Sequence, residues 1–329
     1  KNGIEFAITE ATEIRRADKA IQTSDGEIIY DRLVLATGSE PSALPVEGVD
    51  LDGVFAIRKD IAYLRLLQER VSQAKDVVVI GGGFIGIEFA DEIHKTRDKH
   101  VTIVEVAPHC LSLAYDDEFC VKMQNMIRSR GIDVLTSTKL KRIVGDDAVR
   151  KVVLSNGGEI NADIVVLGVG VVPNVALAEA ADIMIGPQTG AIMVDRTMQT
   201  SDRNIYACGD CAKKISFFGG APSTLRLASI ATSEARIAGA NLFGVRRENI
   251  GTVGVWSTSV GELAMGTAGL TETMANARGY DTVAATIEGA NRHPSLMPGA
   301  ANTCTKLVFE RHSGVLLGGQ VAGDAAVGE

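Results

Sequence analysis

Residues 77–86 read Val77-Val78-Val79-Ile80-Gly81-Gly82-Gly83-Phe84-Ile85-Gly86, an apolar run that passes directly into the pattern G-x-G-x-x-G. The four consecutive β-branched residues predict a strand that is buried on both faces. Helical periodicity over residues 84–97 predicts a helix after the turn, and residues 101–104 predict a second strand. Such a unit, with the glycine pattern at its first turn, is typical of doubly wound α/β domains that bind dinucleotides.

The glycines of this turn have separate predicted roles. Gly81 allows the tight turn, Gly83 lets the backbone meet a pyrophosphate, and Gly86 lets the helix pack on the strand. Gly82 and Ile85 complete the predicted binding segment, in which the free N–H groups of a helix N-terminus face the phosphates. A glycine-rich turn that binds nothing is the alternative.

Glu105 ends the second strand, where the fingerprint has an acidic residue that binds the ribose 2′-OH. A carboxylate at this position would repel the additional phosphate of NADP, and residues 106–109 contain no arginine that could attract it. The sequence therefore predicts NADH rather than NADPH as the ligand of this domain.

The composition excludes several classes of protein. The 329 residues are 46% hydrophobic and 22% charged, which is ordinary for globular domains. A net charge of -8 without a basic run argues against nucleic acid and membrane surfaces as partners. No apolar run approaches the roughly 20 residues of a membrane helix. Five irregularly spaced cysteines do not suit a secreted disulfide scaffold, and no signal peptide is recognised, so we expect a cytoplasmic protein.

The remaining periodicity predicts further strands and helices around this unit. Alternation and turn signals predict short strands across residues 4–35, beginning with an alternating stretch at 4–8. From about residue 250 an α+β pattern replaces the α/β pattern. The other predicted strands are 33–36, 163–169 and 204–208, with strand-rich segments at 251–266, 280–288 and 304–322, and the other predicted helices are 60–73, 116–130, 224–243 and 271–278.

Several segments in a fixed order carry a resemblance to a known family. They are residues 31–41 with Ala36-Thr37-Gly38, residues 77–90, residues 162–174 with Gly170, and residues 200–210 ending in Cys208-Gly209-Asp210. Residues 306–309 and 318–323 follow. Together they resemble the pyridine nucleotide–disulfide oxidoreductases, and within them the branch of NADH oxidases, CoA-disulfide reductases and persulfide reductases.

The resemblance implies an α/β fold with two Rossmann-like nucleotide-binding domains and an α+β interface domain. The implied FAD-type domain is discontinuous, over residues 1–60 and 184–247. An NAD-binding domain is inserted at 61–183, and the interface or dimerisation domain covers 248–329. Since the family's first G-x-G-x-x-G and redox cysteine are not in this sequence, we expect a chain truncated at its N-terminus and, in the interface domain, at its C-terminus. Such a chain alone is expected to bind NADH but to bind FAD weakly or not at all.

FAD and NAD(H) are the cofactors that the resemblance implies. The implied FAD-binding residues are Ala36, Thr37, Gly38, Gly209, Asp210, Leu227 and Ala228, and Gly170 joins the NAD-binding residues. The implied function is that of an NAD(P)H-dependent flavoprotein oxidoreductase, which passes hydride from NADH to FAD. The implied electron acceptor is a disulfide, a polysulfide or persulfide, or oxygen. The implied oligomeric state is a homodimer. The alternatives are a reductase of an electron-carrier protein such as rubredoxin, and a non-catalytic nucleotide-binding redox sensor.

Phe84 and Glu88 are the implied catalytic positions. By resemblance, Phe84 is the aromatic gate that covers the flavin until nicotinamide arrives. Glu88, one helical turn later, orients the nicotinamide side. Alternatively, Phe84 is a core residue and Glu88 a solvated helix residue.

By resemblance, Leu296 and Met297 stand where CoA-disulfide and NADH oxidase relatives usually carry two tyrosines. Apolar side chains cannot donate the hydrogen bonds of tyrosine hydroxyls. We therefore expect low CoA-disulfide reductase activity and a polysulfide, persulfide or oxygen acceptor. The alternative is that both residues only pack a dimer interface.

The cysteines and histidines predict no further chemistry. Cys208 and Cys211 match C-x-x-C but overlap the aspartate motif, so packing is favoured over dithiol chemistry. Cys110, Cys120 and Cys304 are expected to be buried small hydrophobic residues. The five histidines show no metal-ligand spacing, and no metal is expected.

Overall fold

The computed structural model describes residues 3–96, 98–293, 295–296 and 298–324, which form two compact units. The first unit combines the described residues up to Glu40 with Val171–Val253, and the second combines Pro41–Gly170 with the described residues from Gly254 onward. The second unit therefore contains residues of both the predicted NAD-binding domain and the predicted interface domain. The three-domain boundaries stay a prediction.

The helices and strands are numbered in chain order. The strands are β1 (Ala11–Arg15), β2 (Ala20–Thr23), β3 (Gly26–Ile29), β4 (Leu33–Leu35), β5 (Ser39–Pro41), β6 (Val54–Ala56), β7 (Asp76–Ile80), β8 (His100–Val104), β9 (Asp133–Leu135), β10 (Leu140–Gly145), β11 (Val149–Leu154), β12 (Glu159–Asn161), β13 (Ile164–Leu167), β14 (Val171–Pro173), β15 (Ile205–Ala207), β16 (Lys214–Ile215), β17 (Pro222–Ser223), β18 (Val255–Val260), β19 (Leu263–Gly269), β20 (Thr282–Ala290), β21 (Asn302–Glu310) and β22 (Leu316–Gly323). The helices are α1 (Ile61–Gln73), α2 (Phe84–Lys95), α3 (Asp117–Ser129), α4 (Ala176–Ala180), α5 (Ala228–Asn241) and α6 (Glu272–Ala277), and a 3₁₀ turn spans Gly209–Cys211.

The first unit is built from small sheets and helix α5. Strands β1, β2 and β3 form an antiparallel sheet, and β4 pairs with β15 in parallel. The predicted strand at residues 4–8 is wrong: these residues have no strand structure, and Phe6 is 88% exposed. Alternation alone does not make a strand when no described neighbour offers its backbone groups. Leu33 and Val34 are also only half-buried, because β15 is the one described partner of β4.

The second unit is organised around a five-stranded parallel sheet in the order β6-β13-β7-β8-β9. Its central strand β7 is covered on both faces, as its continuous apolar sequence predicts. The register pairs Ile80 with Val104 on one side and with Leu167 on the other. The carboxyl ends of β7, β8 and β13 therefore lie side by side at one edge, and the residues that follow each strand meet there.

A five-stranded antiparallel sheet, in the order β18-β19-β22-β21-β20, completes the second unit. Val260, Met265 and Cys304 of this sheet share one hydrophobic core with residues of α2 and α3, such as Ile87 and Phe119. The antiparallel sheet and the helices of the parallel-sheet part thus share one hydrophobic core within the second unit. This mixture of a parallel core and an added antiparallel sheet confirms the predicted α/β fold class with an α+β part.

Most helix boundaries follow from local signals in the sequence. The carboxylate of Asp60 accepts the N–H of Tyr63 over 2.7 Å at the start of α1, and Gly131, at φ 91°, follows the end of α3. The predicted helix at 224–243 is shorter than expected, since α5 begins at Ala228. In the part of the chain that the structure describes, no helix has both the length and the apolar character needed to cross a membrane.

Candidate functional site

The glycine turn, residues 81–83, follows β7 at the carboxyl edge of the parallel sheet. The N–H of Gly81 donates to the carbonyl of Val104 over 2.8 Å, which ties the turn to the end of β8. Gly81 has φ 106°, and a Cβ there would lie 2.4 Å from the carbonyl oxygen of Gly168. Only glycine suits this backbone conformation and this spacing.

Gly86 allows helix α2 to pack against the turn. A Cβ at Gly86 would lie 1.9 Å from the carbonyl oxygen of Gly81, a distance that no side chain can occupy. The residue is buried in the first turn of α2. The close approach of helix and strand that the sequence predicted for this glycine is therefore present in the backbone.

Gly83 differs from its neighbours because it faces open space. It precedes α2 in an extended conformation, no described side chain caps the helix, and apart from its chain neighbours no atom of the described residues lies within 4 Å of a Cβ built on it. Next to it, Ile85 is 46% exposed. The start of α2 thus presents uncapped N–H groups beside a gap in the side-chain surface, which is the arrangement that binds phosphate.

Glu105 follows β8 and turns back to the glycine turn. Its Oε2 accepts the N–H of Gly82 over 2.5 Å, and its Oε1 accepts the N–H of Ala107 over 2.7 Å. A carboxylate offers about four lone-pair positions, so two backbone donors leave acceptor capacity for a ligand hydroxyl. Gly170 stands at the same edge after β13, exposed and at φ 97°.

Phe84 and Glu88 make contacts that the sequence did not reveal. The Phe84 ring is stacked on Trp256 of β18, with centroids 6.3 Å apart and planes 7° apart. Glu88 Oε1 accepts the hydroxyl of Thr258, also on β18, over 2.9 Å. Both residues of α2 are thus supported by the antiparallel sheet. Trp256 is the stacking partner of Phe84, a role that no local sequence signal could have indicated.

In the first unit, the parallel pairing of β4 and β15 brings two predicted segments together. Ala207 is opposite Leu35, so residues 36–38 and the 208–210 turn leave the two strands at the same edge. The Ser39 hydroxyl donates to Asp210 Oδ2 over 2.8 Å. Ala36 and Thr37 are exposed, and Gly38 has open space where a Cβ would be.

Helix α5 begins at Ala228, beside the 208–210 turn. Leu227 precedes the helix and makes no side-chain cap, and Ala228 is exposed. A Cβ on Gly209 would lie 3.5 Å from that of Ala231 in the first turn of the helix. Uncapped N–H groups at this helix start favour negative charge nearby.

A buried ion pair behind the 208–210 turn was missed by the sequence analysis. Lys214 Nζ lies 2.8 Å from Glu234 Oε2, and each side chain is 2% exposed. Lys214 and Glu234 are separated along the chain and belong to β16 and α5, so no short motif joins them. An apolar residue would have been the ordinary expectation at either position.

All five cysteines are buried free thiols. Burial raises the pKa of Cys208 to about 11, and the Cys211 thiol donates to the carbonyl of Cys208 over 3.3 Å. Burial likewise raises the pKa of Cys110 and of Cys120 to about 12. Among the described residues, no three histidine, cysteine or carboxylate side chains come together in a way that could hold a metal ion.

The residues of both edges fit nucleotide cofactors. At the glycine turn, the open space at Gly83, the uncapped helix start and the Glu105 carboxylate match a pyrophosphate and a ribose. In the first unit, the open space at Gly38, the Asp210 carboxylate and the start of α5 match the polar groups of a second cofactor. Leu296 is 94% exposed, whereas Met297 lies outside the described residues.

Comparison with known proteins gives the family. Residues 1–235 match the model of the pyridine nucleotide-disulphide oxidoreductases, and residues 255–328 match the dimerisation domain of the same family. An NADH oxidase of Methanocaldococcus jannaschii is 35% identical over 92% of this chain. A CoA-dependent NAD(P)H sulfur oxidoreductase of Pyrococcus abyssi is 34% identical over 98%. The structure of an NAD-dependent persulfide reductase from A. fulgidus superposes with a TM-score of 0.91, at 34% identity over 97% of this chain.

The chain therefore belongs to the pyridine nucleotide-disulphide oxidoreductases, a family of FAD- and NAD(H)-dependent proteins, as its motifs predicted. It spans 66% of the length of the NADH oxidase, 72% of the sulfur oxidoreductase and 59% of the persulfide reductase chain.

Proposed function

We propose that this chain is the cofactor-binding and interface part of a flavoprotein oxidoreductase that takes electrons from NADH. The proposed acceptor is a disulfide, a persulfide or polysulfide, or oxygen. The observation that carries the proposal is the Glu105 carboxylate, which accepts the Gly82 N–H beside the open Gly83 position. Its support comes from relatives that are an NADH oxidase and a sulfur oxidoreductase.

The residues at the carboxyl edge of the parallel sheet would hold NADH. Gly83 and the start of α2 at Ile85 would receive the pyrophosphate, while Gly81 and Gly86 shape the turn and Gly82 holds Glu105. Glu105 would accept the ribose hydroxyls, with Gly170 at the same edge. Phe84 and Glu88 would face the nicotinamide, each held by a residue of β18.

The residues of the first unit would hold FAD. Thr37 and Gly38, following Ala36, would approach the cofactor through the backbone, and Asp210 after Gly209 would accept its hydroxyl groups. Leu227 and Ala228 would direct the start of α5 to the flavin ring, where helix N–H groups stabilise negative charge. When bound, the two cofactors supply the hydride and electron transfer, and the protein supplies binding, orientation and electrostatics.

We further propose a cytoplasmic homodimer with a small-molecule acceptor. The match of residues 255–328 to the family's dimerisation domain supports the homodimer. The five free thiols suit a reducing compartment.

The test is anaerobic mixing of the FAD-loaded protein with NADH while flavin absorbance is followed. NADH is expected to bleach the flavin, and polysulfide, persulfide, disulfide or oxygen added afterwards is expected to restore its colour. Asp210→Ala is expected to lose the flavin and with it the signal. A wild-type flavin that NADH leaves oxidised would instead favour the non-catalytic redox sensor.

A further inference from the structure

The Lys214–Glu234 pair is more deeply buried than an ion pair needs to be for stability. Both side chains are 2% exposed, whereas the Arg15–Glu27 pair of the same unit is 35% and 42% exposed. Removing two charges from water is costly, and well-packed apolar residues of similar size often stabilise a protein equally well. The pair therefore calls for a reason other than stability.

Both members of the pair hold the same glycine. Glu234 Oε2 accepts the N–H of Gly209 over 2.9 Å, and Lys214 Nζ donates to the carbonyl oxygen of Gly209 over 2.6 Å. These two groups belong to successive peptide planes, one before and one after Gly209. Fixing both planes fixes the φ and ψ angles of Gly209 and thereby the position from which Asp210 leaves the turn.

Gly209 requires such support because glycine has only a weak preference among backbone conformations. Its φ of 77° lies in the left-handed region, which glycine enters as readily as other regions. A glycine between two functional segments is consequently free to turn unless other groups hold it. The Ser39 hydroxyl, at 2.8 Å from Asp210 Oδ2, restrains the carboxylate but not the preceding peptide.

Glu234 also lowers the stability of the fold, because one of its carboxylate oxygens is buried without a hydrogen bond to any described residue. Its Oε1 is buried and has no hydrogen-bond partner among the described residues. Burial raises the pKa of Glu234, and the neighbouring Lys214 ammonium acts against that shift. A buried carboxylate with one oxygen unpaired is retained at the expense of stability, as is common where geometry matters for binding.

We propose that Lys214 and Glu234 are positioning residues for FAD, acting through Gly209 to aim Asp210 at the cofactor. The inference rests on the proposed function, in which Asp210 accepts cofactor hydroxyls. As a pair of opposite charges, Lys214 and Glu234 orient the turn without adding net charge beside the flavin. They touch the Gly209 peptide groups rather than the cofactor itself.

The test is the double variant Lys214→Met with Glu234→Met in the FAD-containing holoenzyme. It removes both contacts to Gly209 and leaves no unpaired buried charge. We expect the dissociation constant of FAD to rise about tenfold, the effect of losing roughly one net hydrogen bond. The dissociation constant of NADH is expected to stay close to wild type, whereas the thermal midpoint of the FAD-free protein should fall modestly, because the buried Gly209 N–H loses its acceptor. The matched control is Arg15→Met with Glu27→Met, which should change none of these quantities.

The outcomes separate this inference from the proposed function. A full-length wild-type protein that binds no FAD would refute the proposed function and the inference together. A wild-type protein that binds FAD, with a double variant of equal affinity, would refute the inference alone. If the double variant does not fold, two milder variants decide: Lys214→Arg keeps the pair, and Lys214→Met with Glu234→Gln removes the charges but keeps an acceptor for the Gly209 N–H. Weaker FAD binding by the second variant than by the first supports the inference, and equal binding overturns it.

Discussion

The backbone N–H of Gly82 donates to Glu105 Oε2 over 2.5 Å, so the acid at the end of β8 is held against the turn at the end of β7. The second oxygen of Glu105 is held by Ala107. A carboxylate fixed in this way has a defined position relative to any nucleotide at the start of α2. Its negative charge is the basis of the first prediction.

NADH is expected to bind more tightly than NADPH, because the Glu105 carboxylate would repel a 2′-phosphate. Glu105→Ala should weaken NADH binding about tenfold, as expected for the loss of hydrogen bonds to a charged group. Glu105→Arg should reduce the difference between the affinities for NADH and NADPH. Titration with both nucleotides measures the effect, and Asp133→Ala, which removes an exposed carboxylate of β9, is the control. Tighter binding of NADPH by wild type would contradict the assignment.

Alanine substitutions at Gly83 and Gly86 should have different effects: the first should weaken NADH binding, and the second should lower the stability of the fold. Gly83→Ala meets no protein atom, so its thermal midpoint should equal that of wild type. Its methyl group would occupy the space for the pyrophosphate, and NADH affinity should fall about tenfold or more. Gly86→Ala should instead lower the thermal midpoint, because its Cβ would lie 1.9 Å from the carbonyl oxygen of Gly81. Unchanged NADH affinity in Gly83→Ala would show that the nucleotide does not use this turn.

Asp116 should stabilise the second unit in a pH-dependent way. Burial would raise the pKa of Asp116, but hydrogen bonds from Thr273, Gln320 and Lys306 outweigh burial and lower it to about 2. Against an ordinary value of 3.8, this shift corresponds to about 2 kcal/mol of stability at neutral pH. Because the folded-state pKa is depressed, that contribution is full above about pH 4 and is lost as the pH falls through 2.

Denaturant unfolding of wild type and Asp116→Asn at several pH values measures this contribution. The difference in unfolding free energy should be largest near neutral pH and should shrink in acid. Asp117→Asn, in the exposed first turn of α3, is the control and should show little difference at any pH. A difference that does not change between pH 7 and pH 3 would contradict the depressed pKa.

Cys208 and Cys211 are expected to be dispensable for electron transfer. The Cys208 thiol, with its pKa raised to about 11, is rarely a thiolate near neutral pH, and the thiolate is the reactive form. Cys208→Ala with Cys211→Ala should retain kcat/KM for NADH within about twofold, since both residues only pack. Loss of acceptor reduction in the folded, FAD-loaded double variant would instead show an active dithiol.

The acceptor is expected to be a polysulfide, a persulfide or oxygen rather than CoA disulfide. Leu296 and Met297 lack the hydroxyl groups that a CoA-disulfide reductase would use as donors. An acceptor panel under saturating NADH should therefore give CoA disulfide a low kcat/KM. Leu296→Tyr with Met297→Tyr should raise it, whereas no change would indicate that the two residues only pack a dimer interface.

Local patterns predicted the parts of the fold that depend on short stretches of chain. The strand β7, its glycine turn and helix α2 follow from one apolar run and one spacing. Residues 4–8 show the limit of this reasoning, because a strand also needs a partner that alternation cannot supply.

The missed parts of the candidate site depend on residues far apart in the chain. Asp116 directly precedes α3, a position where an acid is ordinarily favoured by the helix dipole. Its carboxylate instead accepts N–H groups of Glu272 and Thr273 at the start of α6, more than 150 residues away. The stack of Phe84 on Trp256 and the Lys214–Glu234 pair were missed for the same reason. Each joins side chains that only the folded chain brings together.

Ser39 and Asp210, which share a hydrogen bond, are 171 residues apart along the chain. A ribosome adding about 5–20 residues per second delivers Asp210 roughly 10–30 s after Ser39. During that interval β4 cannot form backbone hydrogen bonds with β15, the one described strand with which it pairs. The edge shared by residues 36–38 and the 208–210 turn therefore cannot form until residue 210 has been synthesised. Under the proposed function, FAD can bind this edge only after that point, and β4 exposes unpaired backbone groups until then.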